Sequence, residues 1–236
     1  MNDTLALICD CDGVLINSEA IAGAVLVREL EARWPGVELH DVVTPLLGVQ
    51  TERLLLEVAS AVGRTLSTDD IAVIHRIVQQ EAVTAPMVDG IAIALDNIPL
   101  TKACASNSTS TYVRAVLERT GLGAFFANRL FTADRVPNPK PAPDVYLMAA
   151  GRLGVRPESC LVVEDSVAGA TAAMAAGMTV FGFTGTAHHP VAQGERLLRI
   201  GATRTFHTMS ELPSLVQVWS AERHSRLSVE DARDRS

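Results

Sequence analysis

A short apolar run near the start of the chain ends in two aspartates, Asp10 and Asp12, which Gly13 follows. The run at 5–9 carries no charge and predicts a strand that is buried on both faces. Two carboxylates at its carboxyl end disfavour each other's charge unless a cation lies between them. Oxygen ligands of this kind suit Mg²⁺, and glycine lets the backbone leave the strand sharply. The sequence therefore predicts a strand that ends at a magnesium site.

Alternating apolar runs and helical patterns continue along the chain. Further strand-like segments occur at 101–105, 161–163, 178–183 and, more weakly, 204–207. Helical patterns lie between them, at about 109–120, 144–153 and 167–176. This alternation predicts an α/β fold in which helices cover both faces of a parallel sheet. Because ligands bind at the carboxyl ends of the strands in such sheets, residues far apart in sequence can meet at one site.

Polar and charged residues follow the later runs as well. Ser106 and Asn107 end the second run, where both residue types also commonly cap a helix. Lys140 lies between two prolines, which stiffen the loop and fix the position of its charge. Glu164 and Asp165 form a second pair of carboxylates at a strand end. Each signal alone also fits an ordinary cap, a surface lysine or solvated acids.

The stretches 10–15, 103–108, 139–144 and 161–170 resemble, in order, the four motifs of the haloacid dehalogenase superfamily. The resemblance is to its phosphatase and phosphomutase branch, and it covers about residues 5–213. It implies a Rossmann-like core, an all-helical cap inserted directly after the first motif, and a phosphoric monoester hydrolase that uses Mg²⁺.

The resemblance also implies a role for each acidic residue. Asp10 would attack phosphorus and form an aspartyl-phosphate, a known type of covalent intermediate. Asp12 would protonate the leaving alcohol and later deprotonate the attacking water, and its backbone carbonyl would bind Mg²⁺. Asp10 and Asp165 would ligate the metal through their carboxylates. Glu164 would coordinate the metal or hold a metal-bound water.

The remaining motif residues would bind the phosphoryl group. Ser106 and the backbone amide of Asn107 would hold its oxygens, and Lys140 would bridge the nucleophile and the phosphate. A carboxylate could not replace Lys140, because the lysine reduces the repulsion between an anionic nucleophile and an anionic phosphoryl group.

Residues 17–84 show helical periodicity without a convincing strand. The helical patterns lie at 20–33, 52–62 and 69–83. Since they follow the first motif directly, this segment resembles the helical cap of the family, and the resemblance implies a cap at 17–84 on a Rossmann-like catalytic core made of residues 1–16 and 85–220. A hinged cap would admit substrate and then exclude water. The mostly polar residues 221–236 predict a flexible C-terminal tail or a weak helix.

Two neighbouring chemistries fit the chain less well. Dehalogenases of the superfamily lack the second aspartate and the Mg²⁺ site, whereas Asp12 and Asp165 are present here. A β-phosphoglucomutase has a cap histidine where this chain has Ala22, and its basic cap residues are missing at 46–51. Hydrolysis is favoured, and a phosphosugar mutase is the alternative. A non-catalytic protein that binds Mg²⁺ and phosphate is disfavoured because Asp10 and Asp12 are intact.

Charge and composition exclude some partners. The chain of 236 residues has 27 acidic and 20 basic residues and no basic cluster, which argues against nucleic acid. The uncharged residues 166–183 contain glycines and favour a helix followed by a strand over a membrane span. Four cysteines lack zinc-ligand spacing and indicate reduced thiols in a cytoplasmic protein: Cys9, Cys11, Cys104 and Cys160.

The expected substrate is a small phosphorylated sugar or sugar acid. The chain is similar to the sugar-phosphate phosphatases of this branch, including those that act on phosphogluconate. Aromatic residues make up only 4% of the chain, which weakens a case for nucleobase stacking. We expect cap side chains around Glu19 and at 48–53 to select the substrate, and we expect a monomer or a weak homo-oligomer.

Overall fold

One parallel sheet organises the chain in the computed structural model, which describes residues 4–47 and 51–234, and side chains as far as Ser225. Within these residues the sheet has six strands, in the spatial order β3-β2-β1-β4-β5-β6 when they are numbered along the chain. The strands are β1 (Ala6–Cys9), β2 (Thr101–Ser106), β3 (Leu130–Thr132), β4 (Cys160–Glu164), β5 (Thr179–Phe183) and β6 (Arg204–Phe206). The order reverses between β1 and β4, and the crevice at the carboxyl ends of such a pair is the usual ligand site.

Helices connect the strands and fill the segment between β1 and β2. The first four are α1 (Glu19–Arg33), α2 (His40–Val43), α3 (Thr51–Ala61) and α4 (Thr68–Ala82). They are followed by α5 (Ile91–Asp96), α6 (Ser110–Arg119), α7 (Gly123–Phe126), α8 (Asp144–Leu153), α9 (Val167–Ala175), α10 (Pro190–Arg199) and α11 (Leu212–Asp234). Single-turn 3₁₀ helices add Thr44–Leu46, Ala133–Arg135, Pro157–Ser159 and Met209–Glu211.

Apolar clusters cover both faces of the sheet. Leu7 and Cys9 of β1 pack in one cluster with side chains of α5, α6 and α11. Ala6 and Ile8 pack in the opposite cluster with side chains of α8, α9 and α10. This alternation follows from the period of two residues in a strand, and with both faces covered every residue of β1 and β4 is buried. The predicted α/β fold with a parallel sheet is confirmed.

Helices α1, α3 and α4 enclose a third apolar cluster, to which α2 also contributes. The chain leaves the sheet region and returns to it side by side: the Asn17 amide donates to the Pro86 carbonyl at 2.9 Å. Ile16 and Met87 form an antiparallel bridge at the same place. A cap inserted after the first motif requires such adjacent crossings, and the limits 1–16, 17–84 and 85–220 stay a prediction.

Several elements differ from the sequence-based expectation, which gives no helix at 91–96, 123–126 or 190–199. The pattern gives no strand at 130–132, where β3 lies, because three residues are too few to reveal a period. Helix α11 continues through residue 220 to Asp234, so residues 221–234 are helical, one of the two alternatives expected there, and their flexibility stays a prediction. Among the described helices, none combines the length and the apolar character that crossing a membrane requires.

Candidate active site

Lys140 connects the carboxyl ends of three strands. Its Nζ donates to Oδ1 of Asp10, which follows β1, at 2.7 Å and to Oε1 of Glu164, which ends β4, at 2.6 Å. It also donates to the carbonyl of Ala105 in β2 at 2.9 Å. Asn107 fixes the lysine's loop, because its Oδ1 accepts from the Lys140 amide at 2.8 Å and its Nδ2 donates to the Lys140 carbonyl at 3.0 Å.

Burial sets the electrostatics of this group. It raises the pKa of Asp10 to about 7, and the charge of Glu164 adds to this effect while Lys140 opposes it. Burial alone would lower the pKa of Lys140, but the charges of Asp10 and Glu164 outweigh it and raise that pKa well above its usual value. The lysine therefore stays charged and offsets two carboxylates that would otherwise lie unpaired in the interior.

Glu164 is fully buried and all its acceptor positions are used. Oε1 accepts from Lys140 and, at 2.7 Å, from the Tyr146 hydroxyl, while Oε2 accepts from the Ser166 amide at 3.2 Å and its hydroxyl at 3.0 Å. A carboxylate offers about four lone pairs, and four donors occupy them here. Gly169 faces this carboxylate so closely that a Cβ would collide with it. With no acceptor position left for a metal ion, Glu164 is better suited to positioning Lys140 than to binding a metal directly.

Asp165 completes a group of acids that could hold a metal ion. Oxygen atoms of Asp10, Glu164 and Asp165 all lie within 4.8 Å of one another. Burial, followed by the charges of Glu164 and Asp10, raises the pKa of Asp165 well above its usual value. Gly13, at a φ of +80°, passes so close that a Cβ there would collide with the Asp165 carboxylate.

The donor set fits Mg²⁺. Lys140 supplies a single positive charge against three carboxylates, so a divalent cation would offset the remaining repulsion. Mg²⁺ takes one or two protein carboxylates and keeps several waters, which matches Asp10 and Asp165 as ligands beside a saturated Glu164. The carboxylate of Asp12 does not belong to this group, and the assignment of its backbone carbonyl to the metal stays a prediction.

Two hydroxyl groups bind the side chain of Asp12. Tyr112, in the first turn of α6, donates to Oδ1 at 2.6 Å, and Ser108 donates to Oδ2 at 2.8 Å. The Ser108 amide in turn donates to Oγ of the buried Ser106 at 3.0 Å. The structure thus brings the end of β2 next to Asp12. These contacts do not test phosphate binding, so the phosphate-binding roles of Ser106 and Asn107 stay predictions.

A cavity of about 550 Å³ separates this end of the sheet from the first helices. Asp12 and Tyr112 line it from one side, and Glu19 of α1 lines it from the other. Polar residues of α4 also reach it: His75, Arg76, Gln79 and Gln80. Of the segment 48–53, residues 48–50 lie outside the described residues, Thr51 lines the cavity, and Arg53 is 73% exposed and pairs with a neighbouring glutamate.

Sequence reasoning missed the roles of three residues of this site. Tyr112, Tyr146 and Ser108 donate to the acidic groups. Ser108 ends the motif stretch 103–108 without a predicted role, and no spacing marks the two tyrosines within their helical segments. One signal was present: the chain has only two tyrosines, and both bind carboxylates of the site. A scarce aromatic hydroxyl near a motif is therefore worth testing as a partner of its acids.

Known proteins share this arrangement of elements. The family model for haloacid dehalogenase-like hydrolases matches residues 4–177. The chain is 26% identical over 219 residues to 6-phosphogluconate phosphatase of Escherichia coli (strain K12), covering 92% of this chain and 95% of that protein. It is 31% identical over 180 residues to hexitol phosphatase B of the same strain, covering 74% and 81%.

A solved structure extends the likeness to the whole fold. It is a haloacid dehalogenase-like protein of unknown function from Agrobacterium tumefaciens, which is 31% identical to this chain. The two superimpose with a TM-score of 0.79 over 92% of this chain and 99% of the other. Because the family model spans most of the sequence and the fold agrees, the chain belongs to the haloacid dehalogenase-like hydrolase family.

Proposed function

We propose that this protein is a Mg²⁺-dependent phosphatase that hydrolyses a small sugar or sugar-acid phosphate through an aspartyl-phosphate on Asp10. The observation that carries the proposal is the contact of one buried lysine with both Asp10 and Glu164 beside a third carboxylate, Asp165. An anionic nucleophile next to a fixed cation is what attack on an anionic phosphoryl group requires.

Each residue of the site would contribute to the first half of the reaction. Asp10 would attack phosphorus, with Lys140 holding the attacking carboxylate and a phosphoryl oxygen. Ser106 and the Asn107 amide would hold the other phosphoryl oxygens. Mg²⁺, bound by Asp10, Asp165 and the Asp12 carbonyl, would offset charge on these oxygens.

Asp12 would move the protons of the reaction. As the bond from Asp10 to phosphorus forms, the bond to the leaving oxygen breaks, and that oxygen takes its proton from the Asp12 carboxyl group. Asp12 would then accept a proton from the water that hydrolyses the aspartyl-phosphate and releases inorganic phosphate. Its side chain lines the cavity, which gives it access to a leaving group there.

The cavity supports a small hydroxylated substrate. Glu19 lines it, and its Oε2, which has no hydrogen-bond partner and lies 3.9 Å from His188 Nε2, could accept from a sugar hydroxyl. The polar residues of α4 offer further donors and acceptors. The relatives named for 6-phosphogluconate and hexitol phosphates act on compounds of this kind, which supports the same class here.

Phosphate release from a panel of sugar, hexitol and sugar-acid phosphates, with and without Mg²⁺, tests the proposal. Asp10→Asn is the matched blank, because an amide is a poor nucleophile. We expect metal-dependent release by the native protein and none by the variant. Release by purified Asp10→Asn would contradict the mechanism. Interconversion of hexose 1- and 6-phosphates without release would identify a mutase, and binding without turnover would identify a non-catalytic protein.

We further propose a cytoplasmic protein that is a monomer or a weak homo-oligomer. All four cysteines are buried free thiols, which suits a reducing compartment. A single symmetric peak in light-scattering chromatography, at the mass of one or two chains, would support the expected assembly.

A further inference from the structure

We propose that Tyr112 is a positioning residue that orients the Asp12 carboxyl group toward the leaving oxygen of the substrate. This inference rests on the proposed phosphatase function. It assigns to one tyrosine a part of the proton transfer that the motif residues alone do not explain.

The first support is the pair of contacts to Asp12. Its two oxygens accept one hydroxyl each, from Tyr112 at 2.6 Å and from Ser108 at 2.8 Å. Two donors on different oxygens fix both the rotation and the tilt of a planar carboxyl group, whereas one donor leaves it free to turn. Each oxygen retains a further position, and one of them can carry the proton that goes to the leaving oxygen, since a carboxylate offers about four lone pairs.

The second support is the anchoring of the two donors. Tyr112 lies in the first turn of α6, whose N-cap Thr109 accepts from the Tyr112 amide at 3.4 Å. Ser108 is tied to the buried Ser106 through its own amide. Both hydroxyls are therefore carried by backbone that starts at the end of β2, next to the predicted phosphate site.

The third support is the position of Asp12 and its two hydroxyl partners. Asp12, Ser108 and Tyr112 all line the cavity of about 550 Å³ that extends under the first helices. A leaving group in that cavity would meet the carboxyl group and its two hydroxyl partners together. The rate of proton transfer falls steeply when donor and acceptor are misaligned. A carboxyl group that can turn would therefore protonate the leaving oxygen more slowly.

The test compares two leaving groups in Tyr112→Phe. The alcohol of a hexitol phosphate or of 6-phosphogluconate needs a proton as it departs, whereas nitrophenolate leaves without one. We expect kcat/KM to fall about tenfold for the sugar-type phosphate, as for loss of one hydrogen bond, and about twofold or less for p-nitrophenyl phosphate. A merely structural role would lower both values equally.

Two further variants keep the result interpretable. Ser108→Ala removes the other donor and should show the same selective loss, even if Tyr112→Phe folds poorly. Tyr146→Phe is the matched control, because it removes a tyrosine hydroxyl that donates to Glu164. It should lower kcat/KM to a similar extent for both substrates, since it acts on the Lys140 side of the site.

The outcomes separate this inference from the proposed function. An equal loss on both substrates, or no loss, in Tyr112→Phe and Ser108→Ala would overturn the positioning role while leaving the phosphatase intact. No phosphate release by the native protein from any substrate would instead overturn the proposed function.

Discussion

At the scale of single residues, the site depends on the ammonium group of Lys140, which two carboxylates share. Lys140 contacts Asp10 and Glu164, and Tyr146 also places its ring 4.9 Å from the ammonium group. Three groups from different parts of the chain thus fix one nitrogen atom. A buried charge with this many partners cannot be removed without leaving others unpaired.

We expect Lys140→Met to lower kcat/KM by about 10²–10³, the usual effect of losing one preorganised donor to the reacting group. Steady-state assays on the best substrate of the panel measure this. Lys102→Met is the control, because that lysine donates to the carbonyls of Ile98 and Leu100 at the other end of β2. A Lys140→Met enzyme that matched the Lys102→Met enzyme would contradict the proposed role.

The acids of this site were predictable from the sequence, and their hydroxyl partners were not. Asp10 and the pair Glu164 and Asp165 follow apolar runs. Because the carboxyl ends of parallel strands meet at one edge of the sheet, these acids are expected to lie together there. Tyr112 and Tyr146 reach the same edge from helices, and their contacts depend on how those helices rotate and pack. No local pattern specifies that rotation.

At the scale of elements, helix α9 begins where β4 ends, and the junction leaves little room. Ser166 caps the helix by accepting from the Gly169 amide at 3.0 Å, while Gly169 lies against the Glu164 carboxylate. The glycine is required there by close approach, since its backbone is ordinary helix. The strand-to-helix turn therefore fixes Glu164 as well as Asp165.

We expect Gly169→Ala to destabilise the protein by about 1–3 kcal/mol, because the methyl group must displace Glu164 from its four donors. Gly151→Ala is the matched control within α8, where nothing lies near the added Cβ. That change should stabilise by roughly 0.5–1 kcal/mol, the usual gain of alanine over glycine in a helix. Urea unfolding of both variants measures these free energies, and equal effects would contradict the expectation.

The order of the main elements was also readable from the sequence, but strand β3 and helices α5, α7 and α10 were not predicted. Strands β1, β2, β4 and β5 have apolar runs long enough to recognise, and the helices between them show clear periods. Strand β3 has only three residues at the edge of the sheet, and a run this short gives a weak pattern even though Phe131 and Thr132 are buried. Its position depends on pairing with β2, which is a long-range contact.

At the scale of the whole molecule, the acidic crevice links the stability of the folded chain to the binding of a cation. Asp10 and Asp165 both have raised pKa values because burial and mutual repulsion disfavour their charges. A ligand that binds only the folded chain stabilises it by mass action. Metal binding and stability should therefore be linked.

We expect Mg²⁺ at about 100 times its dissociation constant to stabilise the native protein by about 2.7 kcal/mol, or about 5–10 °C in Tm. Asp165→Asn should lose this increase, and Asp69→Asn, at an exposed position of α4, should retain it. Scanning calorimetry with and without Mg²⁺ measures the difference. An undiminished Mg²⁺ effect in Asp165→Asn would show that the metal binds elsewhere.

The adjacent crossings at Asn17 and Pro86 have a consequence for how such molecules diversify. An inserted segment whose two ends are neighbours imposes almost no geometric demand on the sheet, so its length and composition are free to vary. Splicing in a helical segment from another protein with similarly spaced ends should then exchange substrate preference in one step. The catalytic residues at the sheet and the substrate preference set by the inserted segment could then evolve independently within one polypeptide.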